Sequence, residues 1–199
     1  MDKQVVAAFD FDGTITTKDT LLEFIRFAKG TPKFVMGFIL YSPLLVAYKF
    51  KLYPNWKVKQ QIFSYFFKGM SLSDFDVICK DFCKEYQHLI REGARKAISD
   101  HIKRGDSLVI ISASVENWVY PFAERLGISD VLCTKLEIDD SACLTGRFAS
   151  KNCYGEEKVN RLLELFADRN SYYLIAYGDS GGDKALLDFA DEKYYRRFS

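Results

Sequence analysis

Three short apolar runs, each stopping at a polar residue, limit the folds open to this chain of 199 residues. Residues 5–9 (Val-Val-Ala-Ala-Phe) stop at Asp10, residues 107–111 stop at Ser112, and residues 172–177 stop at Gly178-Asp179. Runs this short with no polar face read as strands buried on both sides, which is the habit of a parallel sheet. Helical patterns fall between them, over residues 93–103, closed by Arg104-Gly105-Asp106, and over residues 115–126 and 156–166. Alternation of strand and helix predicts an α/β domain with a Rossmann-like, three-layer parallel-sheet core. Its ligand crevice lies beyond the carboxyl ends of the strands. Asp10, Ser112 and Asp179 all fall there.

Residues 17–91 break the alternation with helical patterns, many aromatics and no convincing strand. They predict an inserted α-helical cap, leaving residues 1–16 and 92–199 as the α/β core. Within the insertion, residues 34–48 hold no charged side chain, yet they include Pro43 and fall short of the ~20 apolar residues of a spanning helix. Residues 135–148, centred on Asp139-Asp140-Ser141, read as a β-hairpin flap or edge extension. Twenty-eight Lys and Arg against 27 Asp and Glu leave a net charge of +1, so no global field draws nucleic acid or an acidic membrane and recognition must be local. Five scattered cysteines without a Cys-x-x-Cys pair argue against a disulfide framework and a zinc knuckle. A reducing cytoplasm is the expected location, since the start of the chain carries no secretory pattern.

Four motifs carry the chemistry. In Asp10-Phe11-Asp12-Gly13-Thr14, two carboxylates at a strand end can project into one crevice, and Gly13 permits the tight turn and close backbone approach that a phosphate requires. A divalent cation of the hard, oxygen-seeking kind, Mg2+, relieves their crowding. A carboxylate so held can attack phosphorus while the second protonates the leaving oxygen and later activates water. Ser112-Ala113-Ser114 offers a hydroxyl and free amides to an anion, with plain helix capping by Ser114 as the competing use. In Gly178-Asp179-Ser180-Gly181-Gly182-Asp183, Asp179 and Asp183 stand four apart and can share one side of a helix start, although Asp183 could equally serve that start alone. Lys158 by itself reads as a solvated helix lysine. Carboxylates and a phosphate crowding one crevice, however, require a cation. His88 and His101 lie in helical patterns without a serine partner, so a serine nucleophile is disfavoured.

Taken in order, Asp10-x-Asp12-Gly-Thr, Ser112, Lys158 and Asp179-x-x-x-Asp183 resemble the four motifs of the haloacid-dehalogenase superfamily of phosphatases. The insertion after the first motif resembles the cap of its phosphoserine-phosphatase-like branch. The resemblance implies an aspartyl-phosphate on Asp10, general acid/base work by Asp12, and Mg2+ held by Asp10, the backbone carbonyl of Asp12 and Asp179 with Asp183 in support. It further implies phosphoryl binding by Ser112 and Lys158, with Gly13 and Ala113 beside them. Departures from phosphoserine phosphatase itself are Gly13 in place of Ser, Gly182 in place of Asn, Asp19 at best matching the substrate-binding Glu, and no evident cap arginine. The apolar cap and Gly-Asp-Ser-x-x-Asp are closer to relatives that include phosphatidylglycerophosphate phosphatases.

The expected function is therefore a Mg2+-dependent phosphomonoester hydrolase acting on a small phosphorylated metabolite, with residues 34–48 as the hydrophobic core of the cap. One alternative is a phospholipid head-group phosphatase whose apolar cap meets the membrane peripherally. An alternative of another class is a receiver-like phosphoacceptor that binds Mg2+ without turnover, for which Asp12 would have no use. Oligomeric state and the choice between water and another phosphate acceptor are not written in the sequence.

Overall fold

The computed structural model describes residues 3–50 and 52–198. Five parallel strands form the central sheet: β1 (Gln4–Phe9), β2 (Ser107–Val115), β3 (Asp130–Thr134), β6 (Tyr172–Gly178) and β7 (Glu192–Tyr195), in the order β3-β2-β1-β6-β7. The three strands expected from the apolar runs are the three in the middle, where a strand is covered on both faces. Side-chain alternation along β1 divides the core. Val6 and Ala8 pack with Val159 and Leu162 of α8 (Glu156–Leu165) and with Leu186 and Leu187 of α9 (Lys184–Phe189). Ala7 and Phe9 face Ala94 and Ile98 of α6 (Glu92–Arg104) and Val119 and Phe122 of α7 (Glu116–Leu126). Helices thus cover both faces in three layers, as expected for a parallel sheet.

Between β1 and α6 the described residues form five α-helices: α1 (Thr20–Lys29), α2 (Thr31–Leu40), α3 (Ser42–Lys49), α4 (Asn55–Phe67) and α5 (Leu72–Glu85). Phe24, Phe63, Phe67, Phe75 and Phe82 make their common interior, and Phe24 stacks on Trp118 of α7 with ring centroids 5.0 Å apart. That stack joins the helical region to the sheet domain. The hairpin expected near residue 140 is β4 (Leu136–Ile138) with β5 (Leu144–Phe148), a separate two-stranded sheet. Its tip extends the turn between α4 and α5, with Gly69 N donating to Leu144 O and Leu72 N to Ala142 O (2.8 and 2.9 Å).

Two expectations change. First, β2 runs through Ser112 to Val115 with an irregular register, and α7 starts only at Glu116, so Ser112 does not stand at a helix start. Second, residues 34–48 are only half a cap core. Phe34, Phe38, Tyr41, Leu44 and Leu45 lean inward, while Val35, Met36, Ile39, Leu40 and Val46 point out. Gly37 is the one buried residue of α2, because a Cβ there would strike the Phe66 ring; its absence lets α2 lie close on α4. Among the described residues no single helix is long and apolar enough to cross a membrane; α2 and α3 together match such a composition but are bent by 59°.

Candidate active site

The site begins where β1 ends. Asp10 keeps extended backbone geometry and donates its N–H to Tyr177 O (2.9 Å), so the ladder with β6 holds one residue past the strand. The chain then turns sharply at Gly13, with φ at +79°. A Cβ at Gly13 would sit 2.5 Å from Asp179 Oδ2, so the absence of a side chain brings the first loop against the end of β6. Thr14, buried in that loop, has its hydroxyl 3.4 Å from both Asp10 Oδ2 and Asp179 Oδ1. Thr16 closes the turn through its N–H to Phe11 O.

Lys158, at the first turn of α8, is 2% exposed and lies between two carboxylates, 2.6 Å from Asp10 Oδ1 and 2.5 Å from Asp183 Oδ1. The solvated-lysine alternative is thereby excluded. Asp183 is fully engaged: its Oδ2 accepts from Asp179 N, Ser180 N and Ser180 Oγ at 3.1, 3.0 and 2.9 Å. Burial drives Asp183 toward its neutral form, but Lys158 and the Ser180 donors outweigh it and hold the carboxyl below its usual range. Asp10 goes the other way. Burial, opposed by Lys158 and reinforced by the charges of Asp183 and Asp12, places it well above the usual carboxylate range. Asp179, half-buried beside Asp183, is raised by desolvation and by that neighbour. For Lys158 burial disfavours the ammonium, yet the two carboxylates prevail and keep it charged.

Asp12 is held apart from this cluster. Its Oδ1 accepts from the N–H and the hydroxyl of Thr20 (2.7 and 2.6 Å), and its Oδ2 accepts from Ser114 Oγ. Trp118 Nε1 donates in turn to Thr20 Oγ1 (3.1 Å), so the stack that fixes α1 on α7 also fixes the partner of Asp12. Ser114 therefore does not cap α7, whose start has no side-chain cap. Ser112, 1% exposed, accepts from Ser114 N (3.1 Å) and lines the cleft beside Ala113.

These residues surround a cleft of about 300 Å³. Asp19 lines it too, although its carboxylate also caps α1 by accepting from Leu21 N (2.9 Å). Three lining residues escaped the sequence reading: Asn55 and Lys59 on α4, and Tyr154 ahead of α8. Lys59 Nζ donates to Ala113 O (3.1 Å), which places a cation from the helical region over the carboxyl end of β2. Nothing in a lysine on a helical pattern announces this. The partners of Asp12, Thr20 and Ser114, were missed for the same reason, since capping accounts for such residues equally well.

The donor set suits a small divalent cation. Asp10, Asp179 and Asp183 each bring a carboxylate oxygen to within 4.8 Å of the others, and among the described residues Lys158 is the lysine buried against them. Hard oxygen ligands and surplus negative charge fit Mg2+. The oxygens of Asp183 are taken up by Lys158 and three further donors, so Asp10 and Asp179 offer the less engaged carboxylates.

A haloacid dehalogenase-like hydrolase family model matches residues 7–188. Protein CicA of Caulobacter vibrioides is 34% identical over 195 residues, covering 98% of this chain and 86% of its own. Among solved structures, a protein of unknown function from Bordetella pertussis Tohama I superposes with a TM-score of 0.85 at 18% identity, over 96% of this chain and 89% of that one. A substrate-bound phosphoserine phosphatase superposes at 0.66, also at 18% identity, over 98% and 87%. The match over most of the residues, from β1 to α9, makes this chain a member of the haloacid dehalogenase-like hydrolases.

Proposed function

We propose that the chain is a Mg2+-dependent phosphomonoester hydrolase that works through an aspartyl-phosphate on Asp10. The observation that carries this is the division of labour between two carboxylates two residues apart. Asp10 lies buried against Lys158 beside Asp179, while Asp12 is turned away and oriented by Thr20 and Ser114. An oxygen of Asp10 attacks phosphorus, the bond to the ester oxygen breaks, and Asp12 delivers a proton to that oxygen as the alcohol leaves. Asp12 then takes a proton from water, whose oxygen attacks the same phosphorus. Inorganic phosphate departs and Asp10 is free again.

Lys158 and the Ser112 hydroxyl hold the phosphoryl oxygens, with the backbone at Gly13 and Ala113 close enough to the crevice to assist. Asp10, Asp179 and the backbone carbonyl of Asp12 would hold Mg2+, which when bound would supply positive charge to offset that of the carboxylates and the phosphoryl group. Helices α1–α5, over residues 17–91, act as the cap, and Asn55, Lys59 and Asp19 select the ester. The substrate is a small phosphate ester. The five cysteines, all free in the structure, suit a reducing cytoplasm.

The test is hydrolysis of an aryl phosphate by the purified protein. Turnover should need Mg2+, stop with EDTA, return when Mg2+ is restored, and vanish in Asp10→Asn with the circular-dichroism spectrum unchanged. Undiminished turnover in Asp10→Asn would overturn the assignment. A single phosphorylation without release would favour the receiver-like alternative.

A further inference from the structure

The chain is nearly neutral as a whole, with a net charge of +1, but its charge is unevenly placed. Between Glu23 and Asp74 there is no acidic residue, while Lys and Arg occur eight times. Inside this cationic stretch α2 and α3 present apolar side chains to solvent. Met36, Ile39, Leu40, Val46, Phe50 and Leu52 are between 54% and 79% exposed. On α2 they share one stripe with Val35, opposite the stripe of Phe34, Gly37, Phe38 and Tyr41 that packs inward. Exposed lysines stand in and beside these helices along the chain: Lys33 in α2, Lys49 ending α3, Lys57 in α4 and Lys68 just after it.

We propose that the outward faces of α2 and α3, with the side chains of Phe50 and Leu52, form a docking surface for an anionic lipid bilayer. Charge complementarity selects this occupant. A cationic rim around an apolar face suits acidic headgroups over acyl chains, whereas a second copy would oppose the same lysines to themselves. Each helix is too short to span a bilayer. The 59° bend suits two segments lying in the interface. Leu52 precedes the cleft residue Asn55 by only three residues, so a docked molecule holds the cleft mouth close to the headgroup layer. The surface is independent of the chemistry at Asp10, and its test does not require turnover.

Flotation with vesicles of phosphatidylcholine, alone or mixed with phosphatidylglycerol, decides the matter. The protein should float with the mixed vesicles only, and high salt should weaken the binding. Ile39→Gln/Leu40→Gln and Phe50→Gln should abolish flotation, and Lys33→Gln and Lys49→Gln should each weaken it by about fivefold. All variants should hydrolyse a soluble aryl phosphate as the parent does. Absence of flotation with mixed vesicles, or equal flotation with both kinds, overturns the proposal. So does a dimer in gel filtration that the Ile39/Leu40 variant converts to monomer.

Discussion

The loop from Asp10 to Thr20 and the helix pair α2–α3 depart from ordinary folding rules in opposite directions. In the loop and its surroundings, charges are buried: Asp10, Lys158 and Asp183 are each at most 5% exposed. In the helix pair, large apolar side chains face water. Burying ions is unfavourable unless each has a partner, and the cleft answers this with a closed set of contacts: Lys158 bonds both carboxylates, and Asp183 takes three further donors. The helix pair has no such answer among the described residues. One region is thus finished by its own side chains, while the other leaves its apolar face uncovered among the described residues.

The largest effect that sharpens the contrast is chemical. Asp10→Asn should lower aryl-phosphate turnover by at least about 10⁴-fold, as loss of a nucleophile does, with little change in folding. Asn keeps the shape, and Asp183 still partners Lys158. Next comes Lys158→Met, which should cost both activity and stability. Removing one partner of a buried pair leaves unpaired charge, a loss of about 3–5 kcal/mol in urea unfolding. The sign with pH follows. Without Lys158 the folded-state pKa of Asp10 climbs further above its unfolded value and that of Asp183 is no longer held below its own, so the folded chain holds more protons than it does in the parent and the loss should grow from about pH 5 to about pH 8. A loss that shrank over that range would mean the ammonium is not what holds these carboxylates. By contrast, polar substitution at Ile39 and Leu40 should alter stability by no more than about 0.5 kcal/mol, as surface changes do.

The middle of the sheet could be read in advance because a strand covered on both faces has no polar positions to confuse its pattern, as with Val5–Phe9 and β6. The edges could not. β7 alternates half-buried and exposed residues over only four positions, and β3 has five, with Asp130 at its start. The acidic residues at the strand ends were legible as a set, since their order along the chain is the order of the motifs. Their supports were not. Ser114 reaches Asp12 across 102 residues, and Lys59 enters from a helix whose sequence pattern says only that it is amphipathic. For residues 34–48 the difficulty is different. A helix apolar all round has no preferred face in its sequence, and only packing on Phe66 and its neighbours decides which side chains are left outside.

Gly13 connects loop geometry to metal geometry, and a smaller perturbation tests it. Gly13→Ala puts a Cβ on a left-handed residue, at about 1–2 kcal/mol, and forces Asp179 to move from its position 2.5 Å away. Displacement of a group by an ångström can lower turnover about 100-fold, so activity should fall far more than stability does. More Mg2+ should be needed for half-maximal turnover. Equal Mg2+ dependence in parent and variant would separate Asp179 from the cation.

The smallest effect comes from a buried titratable group outside the Asp10 cleft. His101 of α6 is 1% exposed, with Nδ1 2.7 Å from Asp106 Oδ2 and Nε2 3.0 Å from Tyr177 OH. Burial lowers its pKa from the ordinary 6.5, more than the Asp106 hydrogen bond restores it. Just below pH 6.5 the unfolded chain therefore binds a proton that the folded chain refuses, and stability falls on acidification. Melting temperature should decline below that pH in the parent and decline less in His101→Gln, whose aryl-phosphate turnover should match the parent's. The same slope in both proteins would assign the acid sensitivity to the carboxylates around Lys158, and the contrast between functional and merely structural buried charge would lose its clearest control.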